Sequence, residues 1–234
     1  MSGAKEQTAF IVGASRGLGR AIVQELLERG WCTIATVRAG SEAALDDLKR
    51  DNGAALAVKT LDINDSAQLA VLRRQLAGRR IDLLFVNAGT TTSDEHVHVG
   101  KVDTEEFVRV MITNALSPMR VIEAVEDLVP AGGLIGAMSS GQGSIANNET
   151  GLREVYRGSK AALNMFMRSF AARQSDLARA LVVMAPGWVR TELGGPGAVL
   201  EIADSVPSLV SVLLDKIERP GLEFLDYQGR TVPW

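Results

Sequence analysis

Short runs rich in apolar and β-branched residues recur along this chain, with helical patterns in the gaps. The runs are Thr8–Val12, Cys32–Val37, Ala54–Leu61, Ile81–Val86, Leu134–Met138 and Leu181–Ala185. Leu18, Ile22 and Leu26 recur every four residues and put one apolar stripe on a helix. Ala43–Arg50 and Ala67–Leu76 read as amphipathic helices, and Thr104–Glu126 and Val155–Ser175 as longer ones. Thr104 is a candidate cap, with Glu105 and Glu106 in the turn that follows. Strands alternating with helices must return through crossovers, which make the strands parallel and cover both faces of the sheet. Right-handed crossovers then predict an α/β fold, one doubly wound parallel sheet with helices on both faces. No Pro-, Gly- or Ser-rich linker divides the chain, so residues 1–234 are read as one domain.

Composition narrows the function. The formal net charge is -3 and aromatic residues are 5%, which argues against a polyanion-binding surface and against a base-stacking platform. Nucleic acid is therefore not an expected partner. A single cysteine, Cys32, excludes an internal disulfide framework and a four-cysteine zinc site. The N-terminal MSGAKEQTAF has no apolar signal core, and no apolar run reaches membrane-spanning length, so no membrane partner is expected. The reducing cytoplasm is the expected compartment.

Residues 13–19 read GASRGLG, between the first strand and the helix of Leu18–Leu26. Gly13, Gly17 and Gly19 do not follow the G-x-G-x-x-G spacing, but the physics is similar. Glycines allow a tight turn and close backbone approach, and the helix N-terminus offers free N–H groups to a pyrophosphate. The sheet is accordingly read as Rossmann-type. A carboxylate after the second strand would hold the ribose 2′-OH of NAD. Here that strand ends Thr36-Val37-Arg38, and Arg16 lies inside the glycine turn. Two guanidiniums favour a 2′-phosphate, so NADP(H) is favoured while NAD(H) stays open.

Tyr156 and Lys160, in YRGSK, are four residues apart and share a helix face. Free tyrosine, with a pKa near ~10, is a poor proton donor at neutral pH. A cation at ~4 Å in an effective dielectric of ~20 is worth about 4 kcal/mol toward the phenolate before desolvation. Taken alone, such a pair is a helix-surface contact; beside a nucleotide-binding turn it is a proton donor with its tuning group.

With these pieces in place, the sequence resembles the short-chain dehydrogenase/reductase family. The matching segments are GASRGLG at 13–19, LDI at 61–63, NAG at 87–89, Asn114, the serine pair at 139–140, YRGSK at 156–160 and PGWVRT at 186–191, in the family's order. The ending from Phe224 to Trp234 looks like the carbonyl-reductase and C-signal-like branch. The resemblance implies an oxidoreductase that moves a hydride between a nicotinamide and a ketone, aldehyde or alcohol of small size. Tyr156 would be the general acid or base. Lys160 would bond the nicotinamide ribose and depress the tyrosine pKa. Ser140 would donate to the substrate carbonyl oxygen, and Asn114 would hold a water in a relay behind Lys160. Gly13, Ser15, Arg16, Gly17, Leu18 and Gly19 would form the pyrophosphate turn, with Arg38 beside the ribose. Asp62 would contact the adenine with Ile63 packed beside it. Asn87, Ala88 and Gly89 would line the adenosine ribose, and Pro186, Gly187, Val189 and Thr191 the nicotinamide. Many relatives pair through the two long helices, which leaves a homodimer or homotetramer open.

Each assignment has a plainer alternative. Asp62 can begin a turn, Asn114 can bond a neighbouring carbonyl, and either Ser139 or Ser140 can be a strand-end residue. The segment GQGSIANNETGLREV between Ser140 and Tyr156 is longer than the family usually carries and must loop out. His96 and His98, beside Asp94 and Glu95, read as a solvated rim loop rather than a metal site. Leu193–Ser205 reads as a mobile cover with an apolar wall of Ala198, Val199, Leu200 and Ile202. A dinucleotide-binding signalling protein with little turnover is the alternative function.

Overall fold

Phe10 and Val12 pack on one side of their strand, Ala9 and Ile11 on the other, and all four are buried. The same alternation recurs at Leu84 and Val86 against Leu83 and Phe85, and at Leu181 and Val183 against Ala180 and Val182. A strand apolar on both sides must be covered on both, as the alternating elements require. A computed structural model describes residues 7–174 and 178–234. Its strands are β1 (Thr8–Val12), β2 (Cys32–Val37), β3 (Leu56–Thr60), β4 (Leu83–Val86), β5 (Leu134–Met138), β6 (Ala180–Ala185) and β7 (Gly221–Asp226). They form one sheet in the order β3-β2-β1-β4-β5-β6-β7, with every neighbouring pair parallel.

The helices are α1 (Gly17–Glu28), α2 (Asp46–Asn52), α3 (Ser66–Gln75), α4 (Thr104–Met111), α5 (Ser117–Val125), α6 (Glu154–Arg173) and α7 (Ile202–Lys216). Leu69 of α3, Ile122 of α5 and Leu163 of α6 join one buried cluster. Ile22 of α1, Leu48 of α2 and Leu209 of α7 join the other. The doubly wound α/β sheet is thus the observed architecture. Among the described residues no helix is long and apolar enough to cross a membrane.

Several boundaries differ from expectation for physical reasons. Residues 53–55 form a short turn before β3, entered through Gly53 at φ 55. A 3-10 turn, Glu42–Leu45, precedes α2. Asp103, not Thr104, occupies the cap position of α4. The expected helix Thr104–Glu126 is interrupted by a π-helical turn at Ile112–Leu116. Ser175, the expected end of α6, lies outside the described residues. Neither β7 nor α7 was expected. Among the named strands β7 pairs with β6 alone, and it carries Glu223 among its apolar residues, so its pattern is diluted at the sheet edge. α7 holds Pro207 inside the helix, which reads as a breaker. The expected cover Leu193–Ser205 therefore ends earlier, because residues 202–205 form the first turn of α7.

Gly136 lies in β5 between two rows of large side chains. A Cβ there would stand 2.7 Å from Phe85 Cδ2 and 2.9 Å from Val182 Cγ1. Gly136→Ala is expected to lower the unfolding free energy by about 1–3 kcal/mol through overpacking. The check is a lower denaturant midpoint at an unchanged slope.

Candidate active site

The strand order reverses beside β1, since β2 pairs on one edge and β4 on the other. The turns leaving β1 and β4 must diverge there, and open α/β sheets bind ligands in the crevice this leaves. The two turns also touch. Asn87 and Ala88 donate their N–H groups to the Val12 carbonyl at 2.9 and 3.0 Å, and Asn87 Nδ2 donates to Gly13 O at 2.8 Å. Gly13 has φ 87 and a Cβ there would sit 2.7 Å from Ala88 Cβ. At Gly19 a Cβ would meet Gly13 O at 2.0 Å. The turn closes onto Asn87 only because both positions lack a side chain. Arg16 occupies the cap position of α1 without a side-chain cap bond, so the first N–H groups of α1 stay unclaimed by its cap. This glycine cradle, open at a helix N-terminus, fits a pyrophosphate.

Ser15 and Leu18 are half-buried in the same turn, and Arg16 and Arg38 are exposed. Arg16 Nη1 is paired with Glu192 Oε2 at 2.5 Å, across from the segment after β6. Asp62 accepts the Asn64 N–H at 2.9 Å, so its carboxylate also serves a turn, while Asp65 caps α3. Ile63 is in the core. Pro186 is buried and its carbonyl accepts the Ser205 hydroxyl at 2.6 Å, anchoring α7 beneath the loop. Gly187 follows at φ 83, and Val189 forms a parallel bridge to Leu200. Thr191 Oγ1 accepts the Gly194 N–H at 3.0 Å. The cover is thus tied at its base, while Trp188 is 51% and Val199 75% exposed.

Tyr156, Ser140, Lys160 and Asn114 converge at the carboxyl ends of β4 and β5. Tyr156 is 6% exposed, in the first turn of α6. Burial holds its phenol above the ordinary value; the Ser140 hydroxyl, in hydrogen-bonding reach, and then the Arg153 charge pull it down, and the Glu95 carboxylate pushes it up. The pull expected from Lys160 comes instead from Ser140 and Arg153. Lys160 Nζ lies 5.9 Å from the phenol ring centre and donates to Met138 O at 2.9 Å. Burial lowers Lys160 from 10.5 to about 8. The serine pair divides by direction: Ser139 donates to Asn164 Oδ1 at 2.6 Å in the interior, and Ser140 faces Tyr156.

Asn114 lies in the π turn and is fully buried. Its Oδ1 accepts the Thr90 N–H at 2.7 Å, and its Nδ2 donates to Thr90 O at 2.8 Å and Ser159 Oγ at 2.9 Å. The plainer reading of Asn114, a bond to a neighbouring carbonyl, is thereby realised for its side chain. The π turn has a cause legible in the sequence. An ordinary helix would give the Asn114 carbonyl the N–H of residue 118, and Pro118 has none. Gly89 completes the floor: a Cβ there would stand 3.3 Å from both Asn114 Oδ1 and Lys160 Nζ.

The long segment after Ser140 does leave the core, and it is fastened. Gly141–Gly143 make a 3-10 turn, and Asn164 Nδ2 donates to Gly143 O at 3.2 Å. A main-chain oxygen of Trp234 then accepts from Ile145 N at 3.0 Å, Ala146 N at 3.2 Å and Ser144 Oγ at 3.3 Å. The Trp234 ring packs tilted against Phe224, with centroids 5.4 Å apart. His98 Nδ1 lies 2.9 Å from Glu154 Oε1, which ties the rim loop after β4 to the start of α6. Arg153 and Glu95 also act on Tyr156, although Glu95 reads from the sequence only as part of a solvated rim loop and an arginine three residues before Tyr156 carries no motif.

The lowered Lys160 value makes a linkage prediction. The unfolded chain holds the extra proton between about 8 and 10.5, so the stability cost of burying the Lys160 ammonium is full below that window and is relieved as pH rises through it. The stability of the wild type relative to Lys160→Met is expected to grow by on the order of 3 kcal/mol over that range. Chemical unfolding of both proteins at stepped pH measures it.

A family model for short chain dehydrogenases matches residues 7–197. The C-signal of Myxococcus xanthus is 38% identical over 156 residues, covering 66% of this chain and 93% of that protein. A Burkholderia multivorans protein assigned to the short-chain dehydrogenase/reductases, solved with bound NADP, is 58% identical, with TM-score 0.96 over 98% of this chain and all of that one. A carbonyl reductase of Pseudomonas aeruginosa PAO1 in complex with NADP is 34% identical, with TM-score 0.90 over 98% of this chain and all of that one. A matched segment of this length, on this fold, means that the chain belongs to the short-chain dehydrogenase/reductase family of oxidoreductases.

Proposed function

We propose that the chain interconverts a ketone or aldehyde and its alcohol with NADP(H), the whole of it serving as one nucleotide-binding and catalytic unit. One observation carries this reading: a buried phenol, Tyr156, pulled toward its phenolate by the neighbouring Ser140 hydroxyl, on the same floor as Lys160 and Asn114. A protein that only bound a nucleotide would have no use for a proton donor in that place.

The glycine cradle of Gly13, Gly17 and Gly19, with Ser15 and Leu18, would hold the pyrophosphate. Asn87, Ala88 and Gly89 would lie against the adenosine ribose, Asp62 and Ile63 at the adenine, and Pro186, Gly187, Val189 and Thr191 at the nicotinamide. Arg38 and Arg16 would meet the 2′-phosphate, for which Arg16 must exchange its surface pair with Glu192. NADP in two structural relatives supports this choice over NAD. Bound NADP(H) would supply or take up the hydride. Ser140 would donate to the carbonyl oxygen as negative charge gathers on it. Tyr156 would give that oxygen its proton, and take one back in the reverse direction. Lys160 would bond the nicotinamide ribose, and the Asn114 carbonyl would hold a relay water behind it.

The C-signal relative favours one second reading, a nucleotide-binding signalling protein with little turnover. Following NADPH absorbance against a panel of modestly hydrophobic carbonyl compounds separates the two. Turnover is expected, with Tyr156→Phe slowing it at least about 100-fold while NADPH still binds. Tight NADPH binding without turnover on the whole panel would instead select the signalling reading. Arg38→Ala is expected to weaken NADPH binding more than NADH binding, measured by titration; equal losses would remove the case for the 2′-phosphate.

A further inference from the structure

Among the described residues, Arg153 is the only non-glycine whose backbone enters the left-handed region, at φ 59. It sits at the cap position of α6, three residues before Tyr156. Neither its backbone nor its charge suits that place. The left-handed region is strained for a residue with a Cβ, and the positive end of a helix dipole repels a cation. Such a residue persists only where its surroundings fix it. Its N–H donates to Glu95 O at 3.2 Å, and its own carbonyl accepts the Arg157 N–H at 2.9 Å. Its Nη2 lies 2.5 Å from Glu95 Oε1 and donates to Thr91 Oγ1 at 3.3 Å. The side chain is 14% exposed, and its guanidinium carbon stands 4.7 Å from the centre of the Tyr156 ring. The Nε is buried without a hydrogen-bond partner, so the guanidinium does not present its full fork to Glu95.

We propose that Arg153 and Glu95 form a positioning pair that sets the acidity of Tyr156, with opposite signs. This rests on the proton-transfer role given to Tyr156 above. A cation over the ring face stabilises the phenolate left after the proton departs more than it stabilises the phenol. Glu95 holds that cation in place and partly offsets it, which keeps the phenol protonated until the transfer. The other groups around Tyr156 have tasks of their own. Ser140 faces the phenol from the end of β5, and Lys160 of α6 is turned to the Met138 carbonyl. Glu154 bonds His98 and the Val99 N–H. Arg109 and Glu106 of α4 bond Thr90, Thr91 and Ser93, behind the loop that carries Glu95.

The test uses the two halves of the ion pair against each other. Phenolate absorbance is titrated in a Tyr227→Phe background, where Tyr156 is the only tyrosine. Arg153→Gln is expected to move that titration up, and Glu95→Gln to move it down, each by roughly one pH unit. Arg153→Lys, which keeps the charge, is expected to stay near the parent. The basic limb of the rate of alcohol oxidation is expected to move in the same two directions. A merely structural ion pair, lost in either variant, would shift both the same way or neither, and that result overturns the proposal. The absorbance readout needs no turnover. Opposite shifts in a protein that reduces no carbonyl would uphold the tuning and refute the proposed activity, and turnover with unmoved titrations would do the reverse.

Discussion

The contact between the turns leaving β1 and β4 is the constraint on which the crevice depends. Two neighbouring parallel strands end at the same level, and their outgoing chains must part toward opposite faces of the sheet. Here they part while still touching, because Gly13 and Gly19 offer no Cβ where Ala88, the Gly13 carbonyl and the Asn87 amide must pass. The floor of the crevice is therefore backbone, with unclaimed N–H groups of α1 on one side and the amide of Asn87 locked on the other. A side chain at either glycine would push the two turns apart.

Burial and charge then oppose each other at Tyr156. Taking a phenol out of water favours the protonated form, and the site answers with a hydroxyl at its oxygen and a cation over its ring. Lys160 suffers the same desolvation with the opposite sign, since burial disfavours its ammonium. Lys160 therefore costs stability while it is charged, whereas Tyr156, neutral at ordinary pH, would incur that cost only as the phenolate; shifted titratable groups of this kind cluster where chemistry is done. Asn114 carries much of the support, with its amide divided between Thr90 and Ser159, which also bonds the Tyr156 carbonyl.

The excursion between Ser140 and Tyr156 would by itself leave the serine poorly held. Distant parts of the chain supply the hold. A main-chain oxygen of Trp234 gathers two N–H groups and the Ser144 hydroxyl, and Arg153 and Glu154 bind the loop after β4 at the other end. Residues separated by tens of positions thus fix one hydroxyl against one phenol.

The sequence alone determined the alternation of strands and helices, the glycine turn, and the set of chemistry-bearing side chains, because these follow from periodicity and from residue types that do their work locally. β1, β2 and β5 are found at their expected bounds, and the Pro118 that opens the π turn was in plain view, its consequence for Asn114 computable from the helix ladder. Tertiary structure decided the rest. β7 exists because β6 offers it an edge, not because Gly221–Asp226 alternates strongly, and α7 runs through Pro207 because its apolar face is buried against α1 and the sheet. That Ser140 rather than Ser139 faces Tyr156, and that Arg153 rather than Lys160 supplies the nearer charge, are outcomes of packing between elements far apart in the chain. Spacing along one helix fixes which residues share a face, but the field at a buried phenol is the sum over whatever the fold brings there.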